Sequence, residues 1–123
     1  MKTGGKEIII MTEDSIRRNI AFIMYGENAW RVTFRYQNGI WQIRVDVHQM
    51  HAAEAKKAIR DLITLMPGAL QMCIVHGYHN GTAIKDTLRT EQISDRIYHM
   101  ESPEYNPGIT WMDIADRCGR IAA

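Results

Sequence analysis

Aspartate, histidine and glycine residues are grouped at two places in this sequence. Asp46 and His48 follow an alternating apolar segment. His76 follows a segment that is apolar apart from Gln71, and leads into a loop with Gly77 and Gly81. A carboxylate can hold a divalent cation or accept a proton, and imidazole transfers protons near neutral pH or binds phosphate when it is charged. Glycines allow backbone N–H groups to approach an anion. These residue types predict a phosphate-binding site capable of acid–base chemistry.

A β-hairpin is the clearest local pattern near this site. Residues 30–47 alternate on both sides of Asn38-Gly39, the dipeptide best suited to a type I′ turn. One face is predicted to be apolar, with the cross-strand pairs Tyr36/Trp41, Phe34/Ile43, Val32/Val45 and Trp30/Val47. The other is predicted to be cationic, with the pairs Arg31/Asp46, Thr33/Arg44 and Arg35/Gln42. Its arginines are candidate phosphate contacts, although a solvated face, or an ion pair between Arg31 and Asp46, explains the same pattern.

Periodicity predicts the remaining elements. Before the hairpin they are a buried strand over residues 6–11 and a helix that Thr12 caps and that ends at Gly26, with Ile16, Ile20, Ile23 and Met24 on one face. After the hairpin follow a helix over residues 52–66, a strand over residues 70–75 and a helix from about Thr82, whose inner residues are Ala83, Ile84, Thr87 and Leu88. The last two elements are strands over residues 96–100 and 108–114. The expected fold is α/β of the α+β kind, a two-layer sandwich with a mixed sheet of four to five strands. Its helices lie on one face, around a right-handed βαβ unit.

The βαβ unit would bring the two polar groups together. Parallel strands in such a unit end at the same edge of the sheet, where ligands bind in open α/β sheets. We therefore expect Asp46, His48 and His76 to converge, with the helix that starts near Thr82 directing its positive end toward the same place.

Composition excludes several classes of protein. With 123 residues, 46% of them apolar and 24% charged, the chain fits one globular core and neither a disordered nor a disulfide-dense protein. We divide it into an N-terminal strand and helix extension (1–28), an α/β domain that includes the hairpin (29–116) and a C-terminal tail (117–123). No apolar run approaches a membrane span, no secretory signal is evident, and two cysteines fit a reducing cytoplasm. Because the net charge is only +1, a nucleic-acid partner would have to be attracted by a local patch.

The order of these motifs resembles the Smr (small MutS-related) domain family. Val45-Asp-Val-His48 is similar to the family's Leu-Asp-x-His motif, and His76-Gly77 with Gly81 is similar to its His-Gly-x-Gly-x-Gly motif. The resemblance covers about residues 43–114 and includes a last strand within Asn106-Pro-Gly-Ile-Thr-Trp-Met-Asp113. Gln49 and His79 stand where the family usually has glycine. The resemblance implies a fold similar to the C-terminal domain of bacterial translation initiation factor three, and nucleic-acid binding with nicking or ribonuclease activity.

Three functions follow from these observations. The first is an endonuclease that cleaves phosphodiester bonds in RNA or structured DNA, with Asp46 as base or Mg²⁺ ligand and with His48 and His76 transferring protons. Its nucleic-acid contacts would be Gly77, Tyr78, His79, Gly81, Thr82, Arg31, Arg35 and Arg44, and Mg²⁺ is a candidate cofactor. The second is a non-catalytic module that binds nucleic acid or the ribosome, in which Tyr78 stacks on a base. The third is a protein-interaction adaptor that uses the N-terminal strand and helix. No membrane partner is expected, and the oligomeric state stays open.

Overall fold

A computed structural model describes residues 9–77 and 82–122 and has the expected α+β architecture. In chain order its elements are α1 (Glu13–Ile23), a 3₁₀ helix (Gly26–Arg31), β1 (Val32–Gln37), β2 (Ile40–Asp46), α2 (Ala52–Leu65), β3 (Leu70–Val75), α3 (Ala83–Thr90), β4 (Ile97–Glu101) and β5 (Ile109–Ile114). The strands form one five-stranded sheet in the order β1-β2-β3-β5-β4. β2 and β3 run parallel with α2 between them, and the other three pairs are antiparallel.

One face of the sheet is buried beneath the helices. Residues of the central strands β2, β3 and β5 on that face share a single core with buried residues of α1, α2 and α3. Those that are at most 1% exposed include Ile43, Val45, Met72, Ile74 and Met112. Most of the intervening residues, such as Arg44 and Trp111, point to the other face and are exposed or half-buried. No helix in the described part of the chain covers this second surface, called the open face below. The fold is therefore the predicted two-layer sandwich.

The N-terminal helix belongs to the same core as the sheet. Thr12 caps α1 as predicted, because its hydroxyl accepts a hydrogen bond from the backbone N–H of Ser15 at 3.1 Å. Ile16 and Ile20 are buried in the common core. The helix ends at Ile23, before Gly26. The apolar stripe of α1 is thus used within this chain.

The buried strand predicted over residues 6–11 is wrong where it can be followed. Residues 6–8 lie outside the described residues, and residues 9–11 form no strand, with Ile10 75% exposed. Its last residue, Met11, contacts the hairpin instead, because its carbonyl accepts a hydrogen bond from Trp41 Nε1 at 3.1 Å. A β-branched run predicts a strand only where a neighbouring strand can pair with it.

The hairpin turn and most of its register are confirmed. Asn38 and Gly39 have φ values of 57° and 80°, as a type I′ turn requires. All predicted pairs from Val32/Val45 to Tyr36/Trp41 are present on their predicted faces. The pairs Trp30/Val47 and Arg31/Asp46 are wrong, because residues 26–31 form the 3₁₀ helix and β1 begins only at Val32.

The later elements differ from the predictions mainly at their ends. The helix over residues 52–66 ends at Leu65, and the last two strands start at Ile97 and Ile109. In α3, Ile84 and Leu88 are buried as predicted, but Ala83 is exposed because it lies in the first turn, at the rim of the core. Among the described residues, no helix has the length and apolar character that crossing a bilayer requires.

Candidate functional site

Asp46 and His48 form a hydrogen-bonded pair at the carboxyl end of β2. Asp46 Oδ1 accepts a hydrogen bond from the backbone N–H of His48 at 3.1 Å and a second one from His48 Nδ1. Because a carboxylate accepts hydrogen bonds, the tautomer with the proton on Nδ1 fits this contact, and in that tautomer Nε2 presents a lone pair. The His48 side chain is 40% exposed, so a ligand can reach it. A carboxylate that orients a histidine in this way is the usual arrangement of a general base.

The turn that follows the pair has an unusual backbone. Gln49 has a φ of 71°, in the left-handed region that favours glycine. The Met50 N–H donates to the Val47 carbonyl at 3.1 Å and closes the turn before α2 begins at Ala52. Gln49 thus has a backbone conformation that favours glycine, at the position where the Smr family usually has glycine.

Arg31 holds the main chain of this turn. Its Nη1 donates to the carbonyl oxygens of Asp46 and His48 at 3.1 and 3.2 Å, and its Nε donates to Asn28 Oδ1 at 2.8 Å. The guanidinium lies 4.7 Å from the ring centre of Trp30, and the ring centres of Trp30 and His48 are 6.2 Å apart in an edge-to-face arrangement. Arg31 therefore contacts Asp46 through the backbone and makes no ion pair with its carboxylate. Its guanidinium binds the main chain beside the Asp46–His48 pair and does not lie with Arg35 and Arg44 on the open face.

His76 lies at the end of β3, but its side chain is on the helix-covered side of the sheet. In the parallel register Asp46 is opposite Val75, so the next residue along β3 points to the other face. The ring is 7% exposed. It forms neither a hydrogen bond nor an ion pair with Asp46 or His48. The structure therefore brings two of the three predicted catalytic residues together and separates the third by strand parity.

Both nitrogens of the His76 ring are occupied. Nδ1 donates to the Gly77 carbonyl at 2.8 Å, and Nε2 is 2.9 Å from Thr110 Oγ1, which is 3.0 Å from Ser102 Oγ. Burial lowers the pKa of His76, and the bond to the Gly77 carbonyl partly opposes this effect. The neutral ring therefore accepts from the Thr110 hydroxyl, which accepts from Ser102 in its turn. The hydrogen bonds from His76 through Thr110 to Ser102 anchor the end of β3 and leave no ring nitrogen of His76 free for proton transfer.

The loop after His76 starts beside the Asp46–His48 pair. Gly77 has a φ of 74°, and a Cβ placed on it would lie 3.6 Å from His48 Cβ. Its N–H, predicted to face an anion, donates instead to the Gly108 carbonyl at 3.0 Å. The predicted ligand contacts Tyr78, His79 and Gly81 lie outside the described residues.

Thr82, the last predicted contact of the loop, is the N-cap residue of α3, but its side chain makes no capping hydrogen bond with the helix backbone. Its hydroxyl donates to Asp86 Oδ2 at 2.8 Å. Asp86 places a negative charge in the first turn of α3, which already complements the positive end of the helix dipole. The attraction of this helix terminus for an added phosphate is correspondingly reduced.

The open face carries a chain of polar side chains that crosses all five strands. His99 Nδ1 lies 3.1 Å from Asp113 Oδ2, and Asp113 Oδ1 accepts from Gln71 Nε2 at 2.9 Å. Gln71 Oε1 accepts from Gln42 Nε2 at 2.8 Å, and Gln42 Oε1 accepts from Arg35 Nε at 3.1 Å. Sequence reasoning missed this polar chain, whose signal was the placement of polar residues at alternate positions on neighbouring strands. It links Arg35 through two glutamines to the Asp113 carboxylate, the third side chain along the series.

The described residues do not by themselves form a preassembled magnesium site. Asp46 is the only carboxylate of the pair, and its Oδ1 is already used by His48. Within residues 9–77 and 82–122, no three His, Cys, Asp or Glu side chains come close enough to hold a metal ion. Mg²⁺ therefore stays a prediction from the sequence, and no step below depends on it.

Comparison with known proteins adds no identification. No protein-family model matches the chain, and no curated protein matches it significantly.

Proposed function

We propose that this chain is an Smr-like nucleic-acid-binding domain that cleaves single-stranded RNA with the Asp46–His48 pair. The observation that carries the proposal is the double hydrogen bond from His48 to Asp46 Oδ1, which leaves Nε2 of a 40% exposed side chain as the proton acceptor. The left-handed backbone at Gln49 supports the comparison with the Smr motif, because it explains a glycine at that position. A cytoplasmic location and association with the ribosome belong to the same proposal.

The reaction uses the 2′-hydroxyl of the RNA as its nucleophile. His48 Nε2 removes the hydroxyl proton while the 2′-oxygen attacks the adjacent phosphorus. The bond from phosphorus to the 5′-oxygen of the next nucleotide breaks, and the imidazolium or water returns a proton to that oxygen. The products are a 2′,3′-cyclic phosphate and a 5′-hydroxyl. Asp46 keeps the ring in the required tautomer and stabilises the imidazolium.

The test measures cleavage of a 5′-labelled single-stranded RNA, in EDTA and in Mg²⁺. His48→Ala and Asp46→Asn are each expected to slow cleavage by about 10²-fold or more. His51→Ala is the matched control, because His51 is exposed at the start of α2 and its side chain does not cap the helix. An oligonucleotide with 2′-deoxyribose at the scissile position is expected to stay intact. Full activity of His48→Ala, or equal cleavage of the deoxy substrate, contradicts the proposed chemistry.

A second candidate function is RNA binding without cleavage. It is favoured by the occupied nitrogens of His76 and the occupied N–H of Gly77, which leave fewer groups for catalysis than the motifs predict. Stable, salt-sensitive RNA binding with no product in any arm of the cleavage assay supports this candidate. Cleavage that requires His48 excludes it. A labelled branched DNA is added to the same assay, and its cleavage while the RNA stays intact redirects the substrate to structured DNA.

A further inference from the structure

A groove of about 410 Å³ crosses the middle of the open face. The side chains of β1, β2, β3 and β5 that line it include Thr33, Arg35, Gln42, Arg44, Cys73 and Trp111. Arg44, Cys73 and Trp111 form one row across three strands, because Cys73 pairs with Arg44 on one side and with Trp111 on the other. The groove is therefore built on the rigid centre of the sheet.

Trp111 is the aromatic residue of this row. It is half-buried and does not belong to the core beneath the helices. Trp30 and Trp41 each contact another ring, whereas Trp111 has no ring contact with the described residues. Its neighbour Cys73 is 6% exposed, and burial raises the pKa of its thiol, with an opposing effect from Arg44. The groove floor on the β3 side of Trp111 is thus uncharged, while Glu101 lies opposite Trp111 on β4, outside the groove lining. The indole is available for stacking from the groove side.

The charged side chains of the groove are all cationic. Arg44 forms no ion pair or hydrogen bond with the described residues, and Arg35 bonds to Gln42 through Nε alone, which leaves its Nη groups available. No carboxylate is among the residues that line the groove. Two unpaired guanidinium groups beside an uncovered indole are complementary to a ligand that combines a planar ring with negative charge.

We propose that this groove binds one unpaired nucleotide of a single-stranded RNA, with its base stacked on Trp111 and its flanking phosphates at Arg44 and Arg35. The proposal rests on the proposed function and deepens it, because it requires RNA with unstacked bases. Arg44 and Asp46 are two residues apart on β2, a distance of about 7 Å, so the stacked nucleotide neighbours the scissile phosphate.

The experiment measures equilibrium binding of the full chain to a fluorescein-labelled, ten-nucleotide 2′-O-methyl RNA by fluorescence anisotropy. This probe lacks the nucleophile and cannot be cut by the proposed reaction. Trp111→Ala is expected to weaken binding about tenfold and Trp111→Phe less, because phenylalanine keeps a smaller ring. Arg44→Ala is expected to lower the dependence of log K on log salt by about 0.7, the value for one phosphate of a single strand. The same RNA in duplex form is expected to bind more weakly.

Tyr105→Ala is the control, because Tyr105 is 82% exposed between β4 and β5 and away from the groove. Unchanged affinity in both Trp111 variants, with a duplex bound as tightly as the single strand, overturns the proposal. Arg44→Ala keeps it testable if Trp111→Ala does not fold, since an unchanged salt dependence also contradicts it. Failure of the cleavage proposal is seen separately, as intact 2′-hydroxyl RNA in the activity assay while binding still requires Trp111.

Discussion

Replacing Arg31 by methionine tests whether this residue positions the catalytic pair or binds phosphate. The sequence groups Arg31 with Arg35 and Arg44, but the structure shows its guanidinium bound to the carbonyl oxygens of Asp46 and His48. Methionine keeps an unbranched apolar stem against Trp30 and removes every hydrogen bond of the guanidinium. The two interpretations then predict opposite changes in salt dependence and activity.

The expected loss of stability follows from the bonds removed. Two bonds from Arg31 Nη1 reach part-buried carbonyl groups, and the third, to Asn28, is exposed. A hydrogen bond from a charged donor contributes about 1.5–3 kcal/mol when it is shielded from water, and an exposed one contributes less. Because Arg31 is itself only half-buried, we expect the free energy of unfolding to fall by about 2 kcal/mol.

The effect on activity is expected to exceed the effect on binding. Loss of the two carbonyl anchors frees the turn that carries His48, and a misplacement of about 1 Å can reduce catalysis about 10²-fold. We expect kcat to fall by at least tenfold, with the salt dependence of RNA binding unchanged. Arg35→Met is the matched variant, because within residues 9–77 and 82–122 the one hydrogen bond of the Arg35 side chain goes to the Gln42 side chain. It is expected to reduce the salt dependence and leave kcat nearly unchanged. If Arg31→Met instead lowers the salt dependence and leaves both stability and kcat intact, Arg31 is a phosphate contact and the positioning role is wrong.

Two further predictions concern stability. Burial lowers the pKa of His76 in the folded chain, so the unfolded chain binds a proton more readily. The contribution of the neutral ring to the free energy of unfolding is therefore complete above pH about 6.5, and it decreases as the pH falls toward the folded-state pKa. His76→Gln is expected to flatten this decrease in urea unfolding measured between pH 5 and 7.5, and an equal acid loss in both proteins contradicts the assignment. Arg96 donates to the carbonyls of Ile63, Gly68 and Ala115 at 2.7, 3.1 and 2.8 Å, so Arg96→Met is expected to cost about 3 kcal/mol by chemical denaturation. Arg60→Met, on the exposed side of α2, is expected to change stability by less than about 0.5 kcal/mol, and equal losses in the two variants refute the anchoring role.

Local signals predicted the elements that depend on local chemistry. The hairpin register follows from the Asn38-Gly39 turn and from alternation, because a shift by one residue would exchange the two faces. The pairing failed at Trp30 and Arg31, where the alternating pattern continues but the backbone turns into a 3₁₀ helix. There Arg31 donates hydrogen bonds to the carbonyl groups of a later turn, which includes His48, 17 positions further along the chain. Such a contact is decided by tertiary structure and has no periodic signal.

Asp46 and His48 lie together while His76 lies apart from them, and this difference has a simple geometric cause. Asp46, the last residue of β2, and His48 are two positions apart, and their side chains are joined by local hydrogen bonds in the turn that follows the strand, so their proximity needs no long-range register. Whether His76 joins them depends on the register between two strands joined by a helix, and a crossover connection does not specify that register. With Asp46 opposite Val75, His76 faces the helices, and a shift of one residue would have turned it toward the pair. The same parity that removes His76 from the pair places Trp111 on the open face with Arg44. The side chains available to a ligand are therefore selected by the β2–β3 register more than by either histidine motif.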